Sequence, residues 1–390
     1  MKPNGILGAA LLAGMAAMGI QAPAAETGPD LRNGINFDHI FDPYQGMSEP
    51  TLPFGPEQKK EIESKLKASE FKQVAEAGFT HVRLGMGRSF IQEPKPPYAL
   101  RSEGLAYLDL AVRAALDNGL SISLDMHQIP TPDLFHKKQD MKAFRVLWKG
   151  LAAHYASWPR SIAFELLNEP NIKEFSKGSP TAADIQHWRD IVLDLVDSIR
   201  AQDPSRTIIV SGAGWGGADG LMQLGKLDRP GLIYSFHFYD PMVFTHQGAT
   251  WTDKGLAALR GVRYPLQKEQ IKALKAKAVK NGYDTWPFDG QEEGGGKEML
   301  RAKMEPIFAY AKQAGMTLYC GEFGTHKPYA PVADRAQWVE DVTSLLDENH
   351  VNHAMWAYHS GFDLADEKGA LDPMILKALG LRSSASTEKP

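Results

Sequence analysis

The sequence predicts an α/β protein: a closed (β/α)8 TIM barrel with one long insertion between its sixth and seventh strands. Apolar runs of strand length alternate with segments of helical period along most of the chain. Most strand ends are separated by roughly the 35 to 50 residues that a strand, a helix and two loops require. Strand after strand also ends in a polar or charged residue, the pattern of a barrel whose site lies at the C-terminal ends of its strands.

The elements follow in order. Leu31 to Asn36 is a short apolar strand ending in polar Asn36, and an irregular stretch rich in Pro, Gly and aromatic residues runs on to Pro56. Glu57 to Ala77 is expected to be one helix, with Ile62, Leu66 and Val74 on one side and Gly78 placed to stop it. Phe79 to Leu84 forms the second strand. Leu105, Leu108, Val112 and Leu116 mark a helix that Gly119 ends, and Leu120 to His127 is the third strand. Phe144, Leu147, Leu151 and Tyr155 give the helix before the fourth strand, which starts at Ile162 and runs into Asn168-Glu169-Pro170. Pro170 biases Glu169 toward extended backbone and holds the strand tip.

Ile185, Trp188, Val192, Leu195 and Ile199 form the following helix, and Thr207 to Ser211, Leu232 to His237, Thr317 to Gly321 and Val351 to Trp356 complete the eight strands. The gap after His237 holds about 60 residues more than a plain unit needs, and loops of that length are functional or carry structure of their own. This insertion, about 240–300, leaves the face that carries the strand ends. Gln267 to Lys280 within it is expected to be helical, and its aromatic residues fit packing and substrate lining equally. Residues 25–390 are read as a single catalytic domain.

Composition narrows the function. With 390 residues, 43% hydrophobic and 23% charged, the chain has ample apolar material for a large core. A net charge of -4 with acids and bases mixed offers no basic block to nucleic acid. Lys2, the apolar run Ile6 to Ile20 and Ala22-Pro23-Ala24 read as a secretory signal peptide over residues 1–24, which implies a periplasmic or secreted protein with no membrane span after cleavage. Cys320 is the single cysteine, so no internal disulfide forms; its mid-strand position beside Gly321 marks it as core and not nucleophile.

If the barrel closes, Arg83, His127, Asn168, Glu169, His237, Tyr239, Glu322 and Trp356 converge at one rim. Glu169 and Glu322 arrive from separate strands, so the fold can hold two carboxylates at a fixed distance, one as acid and one as ionised nucleophile. That is the requirement of glycoside hydrolysis, and a retaining enzyme needs the two roughly 5 Å apart. Gly321 and Gly324 flank Glu322 and are expected to let backbone pass close to a ligand. Singly, each residue has a plainer reading: Arg83 as an ion-pair partner, Trp356 as core, His127 and His237 as structural histidines. Asp125 is expected to point away from His127 and is set aside. Glu165 is odd inside a strand, and pairing with Arg83 or another basic group is its candidate role.

These residues resemble glycoside hydrolase family five, the cellulase-like (β/α)8 enzymes of clan A, from about Leu31 to Leu381. Leu166-Leu167-Asn168-Glu169-Pro170 resembles the family's fourth-strand signature, whose glutamate is the acid/base, and Gly321-Glu322-Phe323-Gly324 the seventh-strand signature, whose glutamate is the nucleophile. Arg83, His127, His237-Phe238-Tyr239 and Trp356 match the family's pattern in order. The resemblance implies that Arg83 and Tyr239 serve Glu322, Asn168 binds the sugar 2-hydroxyl, Trp356 offers a face to the sugar, and His127 and His237 complete the hydrogen-bond net. It implies a β-glycan polysaccharide or oligosaccharide as partner and a retaining endo-β-1,4-glucanase as activity, with mannanase, xyloglucanase or exo-acting β-glucanase as alternatives. No cofactor and no metal are required. From other classes, a metal-dependent barrel hydrolase and a non-catalytic carbohydrate-binding protein compete; no closely spaced ligand cluster speaks for the first, and the presence of both glutamates speaks against the second.

Overall fold

The computed structural model describes residues 28–41, 54–128, 137–171 and 180–382. The segment read as a signal peptide, residues 1–24, lies outside them.

Eight parallel strands close a barrel in sequence order. They are β1 (Asn33–Phe41), β2 (His81–Gly87), β3 (Ser121–Gln128), β4 (Ile162–Glu165), β5 (Thr207–Ser211), β6 (Leu232–Phe238), β7 (Thr317–Phe323) and β8 (Asn352–Met355). Closure is made by β8 against β1, with Asn33 beside His353 and Ile35 beside Met355. Alternation explains why such short strands suffice. Val82, Leu84, Ile122, Leu124, Phe164, Ile208 and Val210 are buried in the layer beneath the helices, while Arg83, Ser123, Asp125, Glu165 and Ser211 alternate with them and are fully buried too. Below that polar layer a small apolar cluster of Leu31, Ala163, Ile209, Tyr319 and Ala354 forms a floor.

The helices seal the outside. One departure from expectation lies before β2, where Glu57 to Ala77 forms two helices, α1 (Pro56–Lys65) and α2 (Ala68–Ala77). The backbone extends at Leu66 and Lys67. α1 buries only Ile62, whereas α2 buries Phe71 and Val74, and Phe71 packs on Phe37 of β1 with ring centroids 4.9 Å apart. The second piece is thus the one anchored in the core. Gly78 caps α2 in the left-handed region at φ 102°, as its position predicts. Between β2 and β3 lie the short α3 (Arg88–Ile91) and α4 (Ser102–Asp117), the long helices α5 (Lys138–Tyr155) and α6 (Ala182–Arg200) flank β4, α7 (Ala218–Leu224) follows β5, and α6 opens on a reciprocal Thr181/Asp184 cap.

The insertion has structure of its own. Between β6 and β7 run α8 (Met242–Thr245), α9 (Lys254–Ala258), α10 (Lys268–Lys280), a 3-10 turn (Trp286–Phe288) and α11 (Lys297–Ala314), the last being the barrel helix of that unit. Its aromatic residues divide: Phe244, Tyr264 and Phe288 are buried, while Trp251 and Trp286 are about half exposed. It is pinned to α12 (Val332–Glu348) by the Arg263–Asp334 ion pair and by a hydrogen bond of 2.7 Å that the Tyr264 hydroxyl donates to Asp341. Among the described residues no helix is long and apolar enough to cross a membrane.

Candidate active site

The polar ends of the strands meet at one buried cation. Arg83, on β2, is fully buried and spends its donors on four groups, from β1, β4, the turn after β4 and β7. It donates to Glu165 through Nε at 2.7 Å and Nη2 at 3.0 Å, and to the Asn168 side-chain oxygen through Nη2 at 2.7 Å. Its Nη1 reaches Asn36 Oδ1 and Glu322 Oε1, each at 2.8 Å. Asp125 lies 3.1 Å from Nη2. Burial by itself favours the neutral form of Arg83, but the charges of Asp125, Glu165 and Glu322 outweigh it and raise its pKa. Arg83 is therefore a fixed positive charge under the site.

Two of these partners differ from the reading of the sequence. Asp125 does not point away: its carboxylate accepts from His127 Nδ1 at 2.6 Å. Residues two apart along a strand share a face, so the alternation that was read as separating them brings them together. Asn36 was seen only as the polar end of a strand, yet its amide donates to the carbonyls of Gly321 at 3.0 Å and Met355 at 3.1 Å while its oxygen receives Arg83. It ties β1, β7 and β8 to the cation. Glu165 takes the Arg83 pairing that was one of its candidate roles.

Above this layer sit the two glutamates. Glu322 accepts from Arg83 on one oxygen and from the Tyr239 hydroxyl at 2.8 Å on the other. Glu169 follows β4, its backbone held because Asn168 N–H donates to Met126 O at 3.0 Å and Gly214 N–H to Pro170 O at 3.0 Å. His237 Nδ1 lies 2.9 Å from Glu169 Oε1 and 3.6 Å from Glu322 Oε2. One oxygen of each glutamate and a nitrogen of His237 all lie within 4.8 Å of one another. Most of the Glu169 side chain is buried, with 27% exposed. Burial pushes its carboxyl up to about 7, against the opposing pull of His127 and Arg83.

His127 and Trp356 form the adjoining wall. The rings stack with centroids 5.1 Å apart at 14°. With Nδ1–H given to Asp125, His127 Nε2 is left to accept from the Asn168 amide at 3.3 Å. Burial lowers the pKa of His127 and of His237, so both are neutral imidazoles. The glycines beside Glu322 are also required by the packing of the barrel itself. A side chain at Gly321 would press on Ser235 and His237, and one at Gly324 would run into the Trp356 carbonyl. They let neighbouring strands close.

A loop that the sequence reading passed over completes the rim. After β5, Trp215 stands 58% exposed in the left-handed region at φ 60°, between Gly214 and Gly216 in the same region. The Gly216 carbonyl receives the His237 N–H at 2.9 Å, and a side chain on Gly216 would meet the His237 ring. The signal was the glycine run Gly212 to Gly217 directly after a strand.

Among the described residues, two groups gather enough His and carboxylate atoms for a metal ion: Glu169, His237 and Glu322, and separately His39, Glu70 and His359. In the first, Arg83 already places its charge 2.8 Å from Glu322, where a metal cation would be repelled. In the second, His39 is engaged with Glu70 at 3.0 Å and Lys67 stands 3.6 Å from the same carboxylate.

Comparison with known proteins points the same way as the geometry. The chain matches the family model described as cellulase (glycosyl hydrolase family 5) over residues 48–361. It is similar to Endoglucanase C of Acetivibrio thermocellus, 31% identical over 334 residues that make up 83% of this chain and 90% of the other. It is also similar to Cellodextrinase A of Ruminococcus flavefaciens, 25% identical over 307 residues, covering 75% and 79% of the two chains. Among solved structures, the endoglucanase Cel5A of Thermotoga maritima superposes with a TM-score of 0.70 at 25% identity, covering 90% of this chain and 97% of that one.

Proposed function

The chain belongs to the cellulase family, glycosyl hydrolase family 5, and is a glycoside hydrolase; from that premise we propose that it is a retaining endo-β-1,4-glucanase with Glu322 as nucleophile and Glu169 as acid/base. The observation that carries the mechanism is the approach of the two carboxylates to within 4.8 Å. Retention needs about 5–5.5 Å between the groups, whereas inversion needs about 6.5–9.5 Å to admit a water.

The steps follow from the contacts. A glucan chain lies across the rim with one ring against Trp356. Glu322 attacks the anomeric carbon as Glu169, protonated near neutrality because it is buried, gives its proton to the departing glycosidic oxygen. The glycosyl group is then esterified to Glu322, and Glu169, now a carboxylate, takes a proton from the water that attacks the same carbon. Glu322 and protonated Glu169 are both restored. Arg83 and Tyr239 hold Glu322 in line from opposite oxygens. Asn168, fixed by Arg83 and His127, is placed for the sugar 2-hydroxyl, a contact that strengthens toward the transition state. Trp215, exposed on the loop after β5 and next to Gly214, whose N–H donates to the Pro170 carbonyl, is a further aromatic side chain available to the glucan.

The choice of β-1,4-glucan rests on relatives named endoglucanase and cellodextrinase. It is tested by reducing-sugar release on carboxymethylcellulose, mixed-linkage glucan, xyloglucan and mannan, with Glu322→Gln as control. Release from the first two, abolished in the variant, is the expected result; cleavage confined to mannan or xyloglucan, or undiminished activity in the variant, overturns the substrate or the nucleophile respectively. Export rests on the pattern of residues 1–24, and N-terminal sequencing of the mature protein is expected to begin at Ala25.

A further inference from the structure

Asp125 bonds neither catalytic glutamate among the described residues, yet it stands at the foot of a relay that ends at Asn168, the neighbour of Glu169. It is fully buried on β3. Its Oδ2 lies between two donors, His127 Nδ1 at 2.6 Å and Arg83 Nη2 at 3.1 Å. A guanidinium does not surrender its protons, so an oxygen that faces one is held as an acceptor toward its other neighbour. The proton of the His127–Asp125 bond therefore sits on Nδ1. Balancing the Arg83 charge needs no such placement, because Glu165 already takes the two parallel bonds.

The far end of the ring then has one form. His127 is a neutral imidazole with a single proton, so Nδ1–H leaves a lone pair on Nε2. That lone pair faces the Asn168 amide nitrogen at 3.3 Å. Asn168 has no freedom to turn and suit a different ring, because its side-chain oxygen accepts from Arg83 Nη2 at 2.7 Å. The opposite tautomer would set two N–H groups against each other in a buried place, where an unmet donor is costly. With one amide hydrogen given to His127, the second remains for the sugar 2-hydroxyl. The same Asp125 bond fixes the plane of the ring on which Trp356 stacks.

We propose that Asp125 is a positioning residue for the 2-hydroxyl contact: it holds His127 in the Nδ1–H tautomer, and His127 in turn aims the Asn168 amide at the sugar. The proposal deepens the reading above and rests on its placing of Asn168.

Nitrogen-15 spectra of histidine-labelled protein read the tautomer directly, with the His127 signal assigned by its loss in His127→Gln. At pH 7, above the value of about 6 to which burial raises Asp125, the wild-type ring is expected in the Nδ1–H form. Asp125→Leu, which offers no acceptor, is expected to shift it to Nε2–H. Kinetics on an aryl β-cellobioside, and on the same compound lacking the 2-hydroxyl of the ring attacked by Glu322, give the consequence. In Asp125→Leu, kcat on the first is expected to fall about tenfold with KM little changed, the worth of one hydrogen bond made toward the transition state, while kcat on the second changes less than about twofold. Asp125→Asn keeps an oxygen that fits between the same two donors and is expected to retain the Nδ1–H form and most of the rate.

An Nε2–H ring in the wild type overturns the proposal, and that result needs no variant to fold. An equal loss on both substrates in either variant, beside a wild type that depends on the 2-hydroxyl, overturns the proposal alone. A wild type indifferent to the 2-hydroxyl overturns the contact given to Asn168 above, and the proposal with it.

Discussion

Arg83 and Glu165 are joined by two parallel hydrogen bonds, 2.7 and 3.0 Å long, in the barrel interior where neither is exposed. This fork orients the guanidinium so that its other face serves Asn36, Asn168 and Glu322. Removing Glu165 takes away one of the three carboxylates that offset the buried Arg83 charge and leaves two of its N–H groups without their acceptor. Glu165→Ala is therefore expected to lose about 3–5 kcal/mol of stability, with Glu165→Gln losing less because the amide oxygen still accepts one bond. Urea unfolding followed by circular dichroism measures it; an unchanged midpoint in Glu165→Ala would falsify the role given to the pair.

The two glutamates are expected to fail differently. Glu169→Gln removes a proton donor, which is worth about 10²–10⁴ in rate, on polysaccharide. On aryl β-cellobiosides with acidic phenol leaving groups the first step needs no acid, so glycosylation is expected to survive and a burst of phenol to appear. Stopped-flow absorbance shows whether that burst occurs. A loss as complete as that of Glu322→Gln on every substrate contradicts the assignment.

Acid catalysis by Glu169 also sets a pH limit. Its carboxyl is pushed up to about 7 by burial, and the protonated form is the active one. Activity is thus present below about 7 and falls as pH rises through it. The alkaline limb of kcat/KM on glucan is expected near that value and is expected to vanish in Glu169→Gln assayed on an activated aryl cellobioside. A limb that persists in that variant belongs to another group.

Tyr239→Phe deletes the 2.8 Å hydrogen bond to Glu322 and leaves Arg83 as the remaining donor from the pair. Hydrogen bonds to charged groups contribute about 1.5–3 kcal/mol, so kcat is expected to fall about 10- to 100-fold. The hydroxyl is not part of the core, and thermal unfolding is expected to change little. Steady-state kinetics beside a melting curve separate the two effects.

Much of this was readable from residue order. Apolar runs ending in His127, Asn168-Glu169, His237 and Glu322 mark strand ends, because a strand buried on both faces tolerates polar groups only where it emerges or where they find partners; Arg83, expected at a strand end, instead lies inside β2 among its carboxylate partners. What misled was contact across the barrel. Asp125 was assigned to the wrong side of its strand, although the two-residue period alone places it with His127. Leu66 gives no sign of the break between α1 and α2, since its apolar side chain fits a continuous helix, and only the packing of α2 on the barrel, with α1 burying Ile62 alone, separates the two.

The sequence by itself determined the class of fold, the number and order of strands, the pair of glutamates and the existence of a structured insertion, because hydrophobic period and strand length are local properties. Tertiary structure alone decided who meets whom. That Arg83 binds Glu165, Asn36, Asn168 and Glu322 at once, that the two carboxylates come within 4.8 Å, and that the Asn36 amide reaches the Gly321 carbonyl all depend on closure of β8 onto β1. Those distances span up to 285 residues of chain, and no local pattern encodes them.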